Sequence, residues 1–481
     1  MDIELIKIHD KFQFEIKHHY KFHNENRETD YQIDTYFFLP SSLHINRYTY
    51  KKENFYNDIR AYIRFTTPTF LLSDYDDILQ KIRQSCEALA HAESIKNYNE
   101  YEKKIKLFCC ILKSSIRDYI EFIKQNKIPS DTDNLIKQYR ENIVKIMASY
   151  RDLRQILNVP TVSSKKFSVY LYGDEYISLL VERYIYALLD ILKEKGIVKH
   201  NELLLSLIRD EIDYRIKNNY PSVPREGSKN EELVYRRSIL KKYMNNVLFL
   251  SIDSESEGKL AEQLLFGIAA GLSMAFATMI SFYSQMKFGN LSLAFFIALV
   301  ISYMFKDRIK EITRIYFLKK VGRQFYDHKL TLYDQNKEKI GWYKESFDFV
   351  KEPNIPDEIL RLRNRVHFTE IENGWVGEKI VLYRRAIKLF PLTLKELHGM
   401  APIDQLTDII RFNVHNFLAS MDNPKQDLYV ADKNGYNKIS GNRVYHLNLV
   451  LKYKLDNNVT YKRFRLILTR EGIERIEPVA A

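Results

Sequence analysis

Between Glu262 and Lys287 the chain runs for 24 residues, Gln263 to Met286, without a charged side chain. A second uncharged run of 18 residues, Phe288 to Phe305, follows Lys287 and ends at Lys306. No other feature narrows the fold as much. At about 1.5 Å per residue the two runs would form helices of roughly 36 and 27 Å, against a bilayer hydrocarbon core of about 30 Å. The polar residues of the first run, Ser273, Thr278, Ser281, Tyr283 and Ser284, are small or interfacial types that lipid tolerates. A buried helical hairpin in a soluble domain is the competing explanation, but core helices usually keep a polar stripe. The expectation is a two-helix transmembrane hairpin over residues 258–306, with antiparallel spans at about 263–286 and 288–305.

The flanks give an orientation. From Lys306 to Arg323 stand seven basic residues, Lys306, Arg308, Lys310, Arg314, Lys319, Lys320 and Arg323, against Asp307 and Glu311. Positively charged flanks stay inside, so the sequence predicts an inner-membrane, multi-pass protein with both termini cytoplasmic. The same seven residues are the expected contacts to anionic lipid headgroups, on a basic juxtamembrane helix at 307–325. Gly267, Gly271 and Ala275 form a small-residue stripe, a pattern that lets helices approach closely in lipid. It is expected either to pack against the second span of the same chain or to build a homo-oligomer.

The rest of the chain divides by periodicity. Residues 1–71 alternate in the manner of strands, as in Phe12, Phe14, Ile16, His18 and Tyr20. Residues 72–250 change to a helical period; Tyr98, Tyr101, Ile105, Phe108, Leu112, Ile116, Tyr119 and Ile123 share one face. Residues 326–481 return to alternation, with Asn373-Gly374 and Asn434-Gly435 as hairpin turns. The fold class is therefore α+β: a β-rich N-terminal unit, a helical bundle, the hairpin, and an antiparallel β-rich C-terminal unit.

Composition adds two exclusions. The formal net charge of +12 over 481 residues is concentrated beside the second span, and what remains is too thin to argue for nucleic acid. Three cysteines, Cys86, Cys109 and Cys110, make no disulfide framework and no metal spacing. Phosphate-loop, dinucleotide and hydrolase-elbow patterns are all missing. Arg361 with His367, and Arg411 with His415, stand at spacings that chance supplies in so basic a chain. His18, His19 and His23 have no partner carboxylate or cysteine nearby in sequence and read as solvated strand positions.

No catalytic residue, metal ligand or cofactor is nominated. The functional expectation is a membrane anchor that carries cytoplasmic sensing, scaffolding or partner-binding domains, its partners being the bilayer and a protein of unstated identity. An oligomerising effector that perturbs the bilayer is the alternative, and an enzyme with a site assembled from distant residues comes third.

Overall fold

A computed structural model describes residues 6–22, 28–126, 128–255, 259–289, 292–321, 326–335, 337–363, 378–391, 399–401, 405–433, 435–455 and 458–479. The chain forms two compact units: Met1–Tyr62 with Ser251–Pro391 and Asp408–Ala481, and Ile63–Leu250 with Leu392–Thr407.

In the first unit an eight-stranded antiparallel sheet joins residues from both ends of the chain. Its order is β14 (Gly472–Val479), β13 (Asn458–Thr469), β12 (Tyr445–Leu455), β3 (Thr29–Leu39), β8 (Lys379–Leu389), β7 (Lys339–Val350), β6 (His328–Tyr333) and β5 (Ser251–Glu255). β3 is central, in register with β12 through Phe37↔Leu449 and with β8 through Phe37↔Val381. A central strand is covered on both faces, which is why Tyr36, Phe37 and Phe38 stand in unbroken succession and are all buried.

A second sheet, ordered β1 (Lys7–Asp10), β2 (Gln13–Lys21), β9 (Gln405–Asn413) and β4 (Ile59–Phe65), packs on one face. Aromatic rings fill the space between them. Phe412 of β9 lies 5.5 Å from Phe14 of β2 and 5.3 Å from Phe37, and Phe55 of helix α1 (Lys52–Asp58) stacks 4.3 Å from Phe347 of β7. On the opposite face Ile355 and Ile359, the latter in helix α10 (Asp357–Arg363), cover Tyr36, Phe38, Ile380 and Val450. β10 (Lys425–Asp432) and β11 (Gly435–Asn442) form a separate exposed ribbon at the second Asn-Gly position. Asn373-Gly374 lies outside the described residues.

The second unit is helical: α2 (Asp76–His91), α3 (Ile95–Gln125), α4 (Pro129–Leu157), α5 (Ser164–Glu194), α6 (Asn201–Lys217) and α7 (Glu231–Asn245). Ser94 caps α3 by accepting from the Asn97 amide at 3.1 Å, and Pro129 opens α4 where no backbone donor is needed. Phe108, Tyr150 and Tyr170 stack at 5.4 and 5.2 Å through the core. Gly173 permits this packing, because a Cβ there would stand 2.2 Å from the Tyr150 hydroxyl. Cys86, Cys109 and Cys110 are buried in this unit, with thiols that burial pushes up.

The expected two-helix transmembrane hairpin does not form. The first uncharged run lies in α8 (Lys259–Phe288), and its stretch Gln263–Phe288 is the one helix among the described residues long and apolar enough to cross a membrane. The second run does not qualify. Its helix, α9 (Leu293–Val321), begins five residues into the run and carries Lys306, Asp307, Arg308, Lys310 and Glu311 without a break. That leaves Leu293 to Phe305 uncharged, about 20 Å of helix against a core of about 30 Å. The basic segment is thus the second half of α9 and not a separate juxtamembrane helix. The architecture is α+β, with eleven helices and large antiparallel sheets among the described residues.

Candidate membrane-contact site

α8 and α9 form a helical arm inserted between two neighbouring strands. β5 enters it and β6 leaves it, paired from Ser251↔Tyr333 to Glu255↔Lys329 at the sheet edge. The two helices are antiparallel, and two contacts fix their register: Ser302 Oγ donates to the Ala277 carbonyl at 3.3 Å, and the Arg314 guanidinium lies 4.2 Å from the Phe266 ring. Counting along both helices sets Lys306 level with Ser273. From there to the end of α8 the pair extends about 22 Å.

Little of the arm is covered. Only 17% of the apolar stretch of α8 is buried, and twenty-one large apolar side chains from Leu264 to Tyr316 are exposed. All other described parts of the chain together expose nineteen. Ala269 and Ser273 of α8 and Ser302 of α9 are buried, as is Ser284, so alanine and serine form the covered seam. Gly267, Gly271 and Ala275 point elsewhere and are exposed; a Cβ on either glycine would meet nothing within 4 Å.

The basic residues occupy the half of α9 nearest the sheet. Arg308, Lys310 and Arg314 are exposed, and Lys306 is half-buried with its ammonium 4.2 Å from the Tyr303 ring. Lys319 and Lys320 lie on α9, without described side chains, and Arg323 lies outside the described residues. Near the far end, Lys287 holds its ammonium 5.9 Å from the Tyr283 ring and 5.8 Å from that of Phe288. The arm therefore presents apolar side chains of both helices, cations toward its root and one cation near its tip.

Elsewhere the ionisable clusters are buried within the units. In the β unit Arg385 is 1% exposed and pairs with Asp408, which is fully buried and also accepts from the Tyr20 hydroxyl at 3.0 Å. His18 lies beside them and is buried, not solvated as its strand position suggested. Burial and the nearby Arg385 charge lower its pKa to about 3, so it stays neutral. Neither of its ring nitrogens has a partner, nor do Arg385 Nε and Nη2, Asp408 Oδ1 or the Tyr453 hydroxyl. In the helical unit Asp174 accepts from Tyr214 at 2.7 Å and Tyr220 at 2.8 Å, while Arg151 bridges Asp174 and Glu211.

Of the two arginine–histidine spacings, the one whose members are both described, Arg411 with His415, does not converge. Arg411 donates to Glu15 at 2.7 Å, whereas the His415 ring packs edge-on against Phe12 at 5.5 Å. His367 and His23 lie outside the described residues. No group of three or more His, Cys, Asp or Glu side chains suited to a metal occurs among the described residues. The Arg385–Asp408 pair was invisible to sequence reasoning because 23 residues separate its members and only the stacking of β9 on β8 joins them.

No family model, curated protein or solved structure matches the chain.

Proposed function

We propose that the protein attaches to a lipid surface through the α8–α9 arm and holds its β and helical units against that surface, where they serve a partner. One observation carries the reading: the apolar surface of α8 is left uncovered by its own chain. Monomeric proteins in water rarely expose contiguous apolar patches beyond a few hundred Å².

The charges argue for the way it lies. Tip-first entry would leave Lys287 about two-thirds of the way across the hydrocarbon core, short of the far headgroups, at a cost of up to about 3 kcal/mol. An arm lying along the interface keeps Lys287, Lys306, Arg308, Lys310 and Arg314 at headgroup level while its apolar side chains enter the acyl boundary. The basic half of α9 supports the anionic cytoplasmic leaflet as the surface.

The test is flotation with vesicles of mixed neutral and anionic phospholipid. The full chain floats with them. A variant in which residues 256–326 are replaced by a short glycine-serine linker stays in the soluble fraction, folded as judged by its unfolding transition. Equal flotation of both proteins, or of neither, would overturn the reading.

A further inference from the structure

The strand that leaves the arm opens on Asp327 and His328, and both residues are fastened to the sheet. The Asp327 amide donates to the Glu345 carbonyl at 2.8 Å. Its carboxylate accepts from the Phe347 amide and the Tyr56 hydroxyl, each at 2.9 Å, and pairs with Lys52. His328 Nδ1 lies 3.2 Å from Glu345, whose other oxygen accepts from the buried Tyr383 hydroxyl at 2.6 Å. The Tyr56 ring stacks edge-on against the imidazole at 4.4 Å. The entering side has less support, since β5 is an edge strand paired with β6 alone. Whatever loosens the start of β6 therefore loosens both roots of the arm.

We propose that His328 and Glu345 form a proton-controlled latch at the arm's root: the imidazolium fastens the start of β6 to β7, and its deprotonation releases the joint. Glu345 is an anchor that cannot turn to solvent, being 8% exposed and tied to Tyr383. The imidazole is 37% exposed on its side chain and so reaches bulk protons. Arg385 of β8 faces Glu345 from the side away from the imidazole and favours its ionised form. Glu345 from β7 and Asp327 beside His328 favour the imidazolium, while Lys52 from α1 opposes it. Tyr56 stays neutral because burial and Asp327 push its pKa up. The hydrogen bond to Glu345 raises the His328 pKa. The latch is thus fully closed below about 6.5, the ordinary histidine value, and opens as pH rises through the raised folded value.

Hydrogen exchange on the full chain tests this without any vesicle, so its outcome is separate from that of lipid attachment. Rates are taken at steps from pH 5.8 to 9, so that the window reaches past the raised folded value, and are corrected for intrinsic chemical exchange. Protection of the amides from Asp327 to Leu330 should fall about three- to tenfold across this range, the difference between a charge-assisted and a neutral hydrogen bond. Protection in β12 should not change. His328→Gln should show the lower protection at every pH. A wild-type root that ignores pH, or a response that survives in His328→Gln, overturns the proposal. If His328→Gln does not fold, Glu345→Gln gives the same reading, since it removes the anion that the imidazolium meets.

Discussion

Replacing Asp408 by alanine should unfold the β unit more readily than any loss of contact area would explain. Asp408 is fully buried and is the carboxylate that pairs directly with Arg385, which is 1% exposed, while Glu345 stands opposite Arg385 in the β7–β8 register and attracts it from farther away. Burial raises the Asp408 pKa while the guanidinium and the Tyr20 hydroxyl oppose that rise. Removing the carboxylate leaves a guanidinium already missing partners at Nε and Nη2 with only the more distant Glu345 as counter-charge. A buried charge stripped of its partner costs about 3–5 kcal/mol. At about 2–4 °C per kcal/mol for a unit of this size, the midpoint should drop by roughly 6–20 °C. Trp342 lies on β7 of the β unit and no tryptophan occurs in the sequence of the helical unit, so tryptophan fluorescence does not report on the helices and Trp342 follows the β unit. The decisive control is the double variant Asp408→Ala with Arg385→Met. With the orphan charge gone it should recover most of the loss, to within about 1–2 kcal/mol of the parent. A single variant that loses less than about 1 kcal/mol, or a double variant worse than the single, would refute the account.

Three further outcomes are expected. His18→Phe should stabilise the β unit by about 1 kcal/mol at pH 7, because two unpartnered ring nitrogens are replaced by an apolar ring of similar shape. It should also remove a pH dependence. With a folded pKa of about 3, His18 contributes stability that is complete above about 6.5 and falls by about 1.4 kcal/mol per pH unit below that. Urea midpoints at pH 6.5 and 5.5 will show whether the parent carries this slope and the variant lacks it. Gly173→Ala should cost the helical unit about 1–3 kcal/mol, since its Cβ would stand 2.2 Å from Tyr150 Oη; a thermal melt followed by circular dichroism at 222 nm measures it. Gly271→Leu should leave the fold intact in the same melt, with a change under about 1 kcal/mol, because nothing lies within 4 Å of that position.

Local pattern reported what local chemistry controls. Alternation along Phe14, Ile16 and Tyr20 marked β2 and its buried face, though not the burial of His18 between them, and the helical period from Tyr98 to Ile123 marked α3. Charge counting failed where the helix boundary mattered. The uncharged run after Lys287 looked long enough to cross, but α9 begins only at Leu293 and runs straight on through Lys306. Composition cannot show that Phe288 stays in α8 and that four residues pass before α9 begins. The candidate site was legible as an apolar stretch, while its seam was not. Gly267 and Gly271 satisfied the small-residue rule, yet Ala269 and Ser273 face α9, one helical turn apart on a neighbouring face. The pairings of Arg385 with Asp408 and of His328 with Glu345 depend on strand order, which no short-range pattern encodes.

The central place of β3 has a consequence for how the protein is made. Its partners β8 and β12 begin at Lys379 and Tyr445, so about 340 residues must be synthesised after Leu39 before the first neighbour exists. At about 5–20 residues per second that is roughly 20–70 s during which the nascent Tyr36-Phe37-Phe38 segment has no sheet to join. The helical unit, contiguous from Ile63 to Leu250 apart from a short later segment, can condense meanwhile on contacts of low sequence separation. The β unit therefore closes late in synthesis, and a chaperone that shields the nascent N-terminal strand would raise the yield of native chain.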